Sequence, residues 1–556
     1  MSAPQRRDRE REAVDVHDGP LDRELDRRAF LTRAAAMSAA AAGTLGAAGT
    51  ASAAAHGQPR HAPPRRRHAR ATVHDARLGD LTELTAVEAA AAIRRRQISS
   101  VELTQAHLDR IARYDGTYKA FNLVLVEQAL ARAKQLDRRR PSGLLHGVPV
   151  AIKDNYWTAG ALTTANSHVF RAFVPTEDAT SVARLLAAGA IVLGKTQMGP
   201  LATTRATTPD GVITTVNAWT PNTPAYDPGG SSSGSATATA GRLACSSIGT
   251  QTGGSIIAPS NQQNLTGLKP TVGRTSLYGV IPLSYSRDHS GPLARDAKDA
   301  ATMLQAMAGP DPKDPRTLGL PRVPDFLSAV EPGRTYRGRP CVRWRTTLGL
   351  IPGYLDGTSA TARARQAMVA TFRDLGVTVK EVTLPDEWDL LTGNAFNNVR
   401  LPERTEPFLP YLKQDLKLFG VSLNSWMQGL FLSGDEWIKG QRAKHVLLER
   451  VLDDLFAQCD VVVQTSPVPF DILGLPEIAF PIGFQPNAAS GRDVSIGALF
   501  GGQPYAEDRL LALAGAYQAV TDWHERRPAD PAPATVARAA ASAPKLTAEE
   551  VERLTQ

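Results

Sequence analysis

The chain reads as an α/β protein organised around a mixed β-sheet, and three features lead there. Residues 148–152 (VPVAI) and 190–193 (AIVL) are short apolar runs with β-branched residues, bounded by turn residues, which is the pattern of buried strands. Between them, residues 180–188 place apolar side chains at helical spacing. Strand, helix and strand in that order is the alternation of an α/β layer structure. A chain of 556 residues, 42% apolar and 21% charged, can also bury a large core as one body.

The other elements follow in chain order. Residues 85–113 show helical spacing of Ala, Ile, Val and Leu, and Ser99-Ser100 before Val101-Glu102 supplies an N-cap for a second helix. Residues 296–308 predict another helix, and 309–315 a polar turn. The α/β pattern resumes over 342–379, after the basic, Gly-rich 332–340. Residues 388–452 read as mainly helical, with Trp388, Phe396, Phe408, Tyr411, Phe419, Trp426, Phe431 and Trp437 as core and helix-packing residues. The Ala/Pro-rich stretch from about Pro528 to Pro544 reads as a mobile extension.

At the front, Arg27-Arg28-Ala29-Phe30-Leu31 precedes an alanine-rich run over 34–51 and the small-residue site Ala51-Ser52-Ala53. Arginine pair, weakly apolar run and cleavage site come in the order of a twin-arginine export signal, so residues 1–53 are expected to engage that translocation machinery. The mature protein would then be extracellular, periplasmic or associated with the cell wall. Residues 54–77 form a basic tail, 78–527 a single catalytic domain and 528–556 a C-terminal extension. No run of 18 or more strongly apolar residues occurs in the body, which argues against stable membrane insertion.

The net charge is +8, but its distribution argues against nucleic acid as a partner. Residues 1–53 carry eight Arg and eight acids, residues 54–70 carry five Arg and no acid, and the rest is left with 8 − 0 − 5 = +3. Cys245, Cys341 and Cys459 cannot all pair, show no zinc-like spacing, and read as buried thiols. No metal or other cofactor is expected.

Gly189 to Thr196 literally satisfies the G-x4-G-K-[ST] pattern of a phosphate loop. In such a loop the four middle residues wrap the phosphates after the strand has ended. Here Ala190, Ile191, Val192 and Leu193 are the strand itself, so nucleotide binding through Gly194-Lys195-Thr196 is the weaker alternative.

Chemistry concentrates elsewhere. Lys153 ends an apolar strand, which would carry its amine into the interior and lower its affinity for a proton, as a general base requires. Two Gly/Ser-rich turns, GGSSSGS over 229–235 and TGGS over 252–255, hold Ser231 and Ser255 24 positions apart. Thr252-Gly253-Gly254-Ser255 can converge several main-chain N–H groups on one point, and such a nest beside a nucleophilic hydroxyl is an oxyanion hole. A serine placed between a lysine and a second serine can relay a proton without any histidine.

HGVPVAIKDN over 146–155, DPGGSSSGSATATAGRLACSSIGTQTGGS over 227–255 and GLKPT over 267–271 resemble the amidase signature family of serine hydrolases. SRDHSGPLARDAKDAA over 286–301, AGPDPKDP over 308–315, GLPEIAFPIGF and GGQPYAEDRLLALAGAYQ extend the likeness to roughly residues 78–523. The resemblance implies the amidase signature fold, a central mixed β-sheet flanked by α-helices on both faces. It implies Lys153 as general base, Ser231 as proton relay held by a cis Gly230–Ser231 peptide, and Ser255 as nucleophile. The N–H groups of Thr252, Gly253, Gly254 and Ser255 would form the oxyanion hole. The partners so implied are a small-molecule amide, such as a peptide amide or aryl acylamide, and water.

Gln251 stands where an acidic residue is frequent in the family, Ile257 where an arginine is frequent, and Asn261-Gln262-Gln263-Asn264 where a smaller, more apolar segment is usual. Ile257 offers no guanidinium fork, so an apolar or neutral acyl group is expected. The substrate-binding residues are not identified by the sequence. A catalytically inactive member acting as a binding protein is the other reading. A component of a glutaminyl-tRNA amidotransferase is disfavoured, because export would separate it from its tRNA.

Overall fold

The computed structural model describes residues 78–335 and 337–532. The expected export signal, the basic tail and all but the first residues of the C-terminal extension lie outside the described residues. In chain order the strands are β1 (Phe121–Val124), β2 (Pro149–Lys153), β3 (Ile191–Thr196), β4 (Ser246–Gln251), β5 (Thr266–Lys269), β6 (His289–Ala294), β7 (Gly333–Arg334), β8 (Pro340–Cys341), β9 (Thr347–Leu350), β10 (Thr378–Glu381), β11 (Val461–Gln464), β12 (Glu477–Asn487) and β13 (Arg492–Gly502). Strands β7 and β8 form a separate ribbon. The other eleven make one mixed sheet in the order β1-β3-β2-β4-β6-β5-β12-β13-β11-β9-β10.

The parallel core β3-β2-β4 explains the apolar runs. Val150 and Ile152 of β2 and Val192 of β3 enter one cluster, whereas Ala151, Ile191 and Leu193 enter another. Successive side chains of a strand point to opposite faces, so each run feeds two cores and helices cover both faces. Strand β4 (SSIGTQ) is fully buried yet mostly polar. It lacks the apolar signature that marks β2 and β3.

Helix starts follow the capping chemistry. Thr85 and Ser99 cap helices Ala86–Arg94 and Ser100–Tyr118 through reciprocal capping boxes with Glu88 and Glu102. Helices Thr180–Ala187 and Ala297–Met307 fall where the spacing places them. The 388–452 region is helical but broken into Trp388–Thr392, Asn394–Asn398, Leu401–Thr405, Leu409–Gln414, Leu423–Gln428 and Gly434–Arg450. Gly393, Gly420, Gly429, Pro402 and Pro410 punctuate it, as residues that interrupt helical pairing should. Of its aromatics, Phe408, Phe419 and Trp426 are buried, whereas Phe431 is 80% exposed.

All three cysteines are free. Cys245 and Cys459 are buried, and Cys341, on the ribbon, is only half-buried. No helix among the described residues is long and apolar enough to cross a membrane. Asp530, in the segment read as a mobile extension, is instead docked on the body. Its carboxylate accepts hydrogen bonds from Arg110 and Arg242.

Candidate active site

Strands β2 and β4 are parallel neighbours, with Val150 opposite Ser246 and Ile152 opposite Ile248. Their C-terminal ends therefore leave the sheet at one edge, the usual place for a ligand site in an α/β sheet. Lys153 ends β2 there, and the Thr252–Ser255 turn follows β4. Ser231 and Ser232 sit just ahead of helix Ser233–Ala240.

Lys153 has no exposed surface. Its Nζ lies 2.7 Å from Ser231 Oγ, 2.9 Å from Ser232 Oγ, 2.8 Å from Thr250 Oγ1 and 3.3 Å from the Thr250 carbonyl. Burial holds the amine well below the ordinary lysine range, against the opposing pull of the Asp288 carboxylate. A neutral amine has two hydrogens to give and one lone pair to accept with. Thr250 Oγ1 already accepts from Asn155 Nδ2 at 3.0 Å, and Ser232 Oγ can donate to the Thr250 carbonyl at 3.2 Å. Both oxygens can take an amine hydrogen, which leaves the Ser231 hydroxyl to donate to the lone pair.

Ser255 is 8% exposed, and its Oγ accepts from the main-chain N–H of Ser231 at 3.1 Å. The structure thus brings Lys153, Ser231 and Ser255 together, with one correction. No peptide among the described residues is cis, so the expected cis Gly230–Ser231 bond is trans. The chain reversal is achieved by two successive glycines in the left-handed region, Gly229 at φ 87° and Gly230 at φ 41°. In this form the Ser231 N–H, rather than its hydroxyl, faces Ser255. A Cβ at Gly230 would stand 2.8 Å from the Ser255 Cα, so only glycine fits.

The turn is braced from two sides. Thr252 Oγ1 donates to Asp288, whose other carboxylate oxygen accepts the N–H groups of Leu283 and Ser284. Gln251 Oε1 accepts from Ile256 N at 2.7 Å and Ile257 N at 2.9 Å, capping the helix that follows Ser255. Its Nε2 donates to Asp471 at 2.8 Å and Glu477 at 3.3 Å. Burial pushes both carboxyls up, against the charge of Lys269 and, for Asp471, the donors Gln251 and Gly254 N–H. An amide at 251 therefore does what a carboxylate could not, since it donates to two acids while accepting from the helix.

Lys195 is not a phosphate-loop lysine. It lies within β3, fully buried, and its Nζ donates to Tyr156 O at 2.7 Å and Thr163 Oγ1 at 2.6 Å and pairs with Asp154 at 3.3 Å. Among the described residues no group of three or more His, Cys, Asp or Glu could hold a metal. The sequence left Ser232, Thr250 and Asp288 unassigned. Ser232 lies inside the Gly/Ser motif, but only the register of β4 reveals that Thr250 faces Lys153.

The family model described as Amidase matches residues 102–467, and the chain belongs to the amidase signature family of enzymes acting on C–N bonds. Curated relatives include the A-subunit of glutamyl-tRNA(Gln) amidotransferase from Marinobacter nauticus, 33% identical over 78% of this chain and 96% of that protein. Its counterpart in Pseudomonas aeruginosa PAO1 is 34% identical over 81% of this chain and 99% of its own. Among solved structures, native peptide amidase from Stenotrophomonas maltophilia superposes with a TM-score of 0.67 at 28% identity, covering 81% of this chain and 98% of that one.

Proposed function

We propose that this chain is a serine amidohydrolase that cleaves carboxylic amides through an acyl-enzyme on Ser255. The observation that carries this reading is the buried Lys153 amine, 2.7 Å from the hydroxyl of a serine whose own N–H holds Ser255 Oγ. The Ser231 N–H fixes the nucleophile; as Ser255 attacks the carbonyl, the Ser231 hydroxyl gives its proton to neutral Lys153 and turns to take the one that Ser255 releases. Negative charge on the tetrahedral intermediate is met by the N–H groups of Thr252, Gly253, Gly254 and Ser255. Ser231 then returns the proton to the leaving nitrogen, which leaves poorly as an anion, and water releases the acyl group.

Small amides, peptide amides and aryl acylamides form the substrate class, a reading supported by the likeness to peptide amidase. The curated relatives point to transamidation instead. The arginine pair, alanine-rich run and small-residue site at residues 27–53 favour an exported hydrolase. Incubation with a fluorophosphonate probe is expected to label Ser255, and Ser255→Ala is expected to abolish both labelling and amide hydrolysis. Labelling that persists in that variant would refute the assignment.

A further inference from the structure

Three arginines close to the catalytic turn are buried without a hydrogen-bonded counter-ion among the described residues. Arg287 is 4% exposed, Arg400 7% and Arg404 2%. Arg287 Nη1 donates to the Asn397 carbonyl at 3.1 Å and to its side chain at 3.0 Å, and Arg400 also donates to that carbonyl. Yet Nε and Nη2 of Arg287, Nε of Arg400, and Nε and Nη1 of Arg404 meet no acceptor among the described residues. Buried guanidinium nitrogens left in this state are costly, and their number here calls for a ligand.

Of the neighbouring carboxylates, Asp288 and Glu403 are engaged by other donors, and Asp471 keeps one oxygen, Oδ2, without a hydrogen-bond partner among the described residues. Asp288 accepts from Thr252, Leu283 and Ser284. Glu403 accepts from Ser284, Ser286, Trp437 and Gln441. Asp471 accepts from Gln251. None of the three is hydrogen-bonded to any of the three guanidinium groups. Lys444, whose Nζ donates to the Ser286 carbonyl, adds a fourth basic group, and burial lowers it to about 8. Burial likewise lowers Arg287 and Arg404 to about 10, with the charge of Arg287 acting in the same direction on Arg404.

The cluster adjoins the chemistry. Asp288, bonded to Thr252 of the oxyanion turn, follows Arg287 in the chain, and Arg287 and Arg400 both feel the charge of Asp471, which touches Gln251. We propose that Arg287, Arg400 and Arg404 form a carboxylate-binding subsite beside the Ser255 turn, so that the amide this chain cleaves carries a carboxylate. The inference rests on the hydrolase reading above and replaces the neutral acyl group expected from Ile257. Planar forks of N–H donors match a carboxylate, and Arg residues from two separate segments supply what position 257 does not.

Two matched pairs test this. Glutaryl p-nitroanilide against its methyl ester places the charge on the acyl side, and N-butyryl-4-aminobenzoate against its methyl ester places it on the amine side. In one pair the acid is expected to show kcat/KM at least about tenfold higher, expressed mainly in KM. Arg404→Gln and Arg287→Gln are expected to bring that ratio close to one, with Arg404→Lys intermediate. Free glutarate, but not glutaramide, is expected to raise the Tm of the wild-type protein, a readout that needs no variant to fold. Absence of acid preference in both pairs, or equal loss on acid and ester in the Arg variants, overturns the subsite. Fluorophosphonate labelling of Ser255 keeps the two ideas apart: labelled enzyme without acid preference loses only the subsite, whereas unlabelled enzyme loses the hydrolase reading.

Discussion

At the scale of the residue, Lys153 sets the pH behaviour of the site. Its amine binds a proton less readily in the folded chain than the ordinary value of 10.5, chiefly because of burial. Between that lowered value and 10.5 the unfolded chain holds a proton that the folded chain has released. Stability therefore rises with pH through this window, and kcat/KM rises over the lower end of it as the base becomes neutral. Replacing Lys153 with Met is expected to abolish hydrolysis and to flatten the stability slope. Urea midpoints measured from pH 6 to pH 10 check this, and a Lys153→Met variant with the wild-type slope would show that Lys153 is charged when folded. Lys153 was legible in the sequence because a continuous apolar run fixes a strand and carries its last residue inward. Thr250 was not, because its meeting with Lys153 depends on side-chain phase in a polar strand without an apolar signature, and Ser232 was not, because nothing within the Gly/Ser motif sets it apart from its neighbours.

At the scale of the element, β4 and the helix after Ser255 are joined through one amide. Gln251 caps Ile256 and Ile257 while donating to Asp471 and Glu477, so the nucleophile's turn is tied to the far half of the sheet. Gln251→Glu puts a third carboxyl beside two already pushed up by burial and removes their shared donor. Its expected cost is on the order of 2 kcal/mol at neutral pH, easing as the pH falls and the new acid protonates. Denaturant unfolding at pH 7.5 and pH 5.5 measures it, and a variant as stable as wild type at pH 7.5 would show that the amide hydrogens are dispensable. Sequence marked Gln251 only as a departure, since its acidic partners lie more than 200 positions away. A separation of 110 positions between Arg287 and Asn397 likewise hid the arginine subsite. Residues 388–452 read correctly as helix-rich, but local pattern cannot say that Arg400 shares the Asn397 carbonyl with Arg287.

At the scale of the whole molecule, the described chain ends are clamped to each other across one helix. Arg242 follows helix Ser233–Ala240, which begins next to Ser231, and it pairs with Glu83 from the start of the body and Asp530 from its end. Arg110 gives Asp530 a second partner, and Arg527 lies 3.5 Å from Glu83. Burial alone would raise the Asp530 carboxyl, but the hydrogen bond and charge of Arg110, with the charge of Arg242, hold it below 3.8. A carboxyl lowered in this way stabilises the fold above its unfolded value and loses that contribution as pH falls through the folded one. Asp530 is partly solvated, so screening keeps the effect modest. Asp530→Asn is therefore expected to lower the urea midpoint at pH 7, with the gap to wild type closing toward pH 3 and shrinking in 0.5 M salt. Because Arg242 and Ser231 flank one helix, the same variant is also expected to slow fluorophosphonate labelling of Ser255. A gap that does not narrow at all between pH 7 and pH 3 would show that Asp530 acts through packing rather than charge.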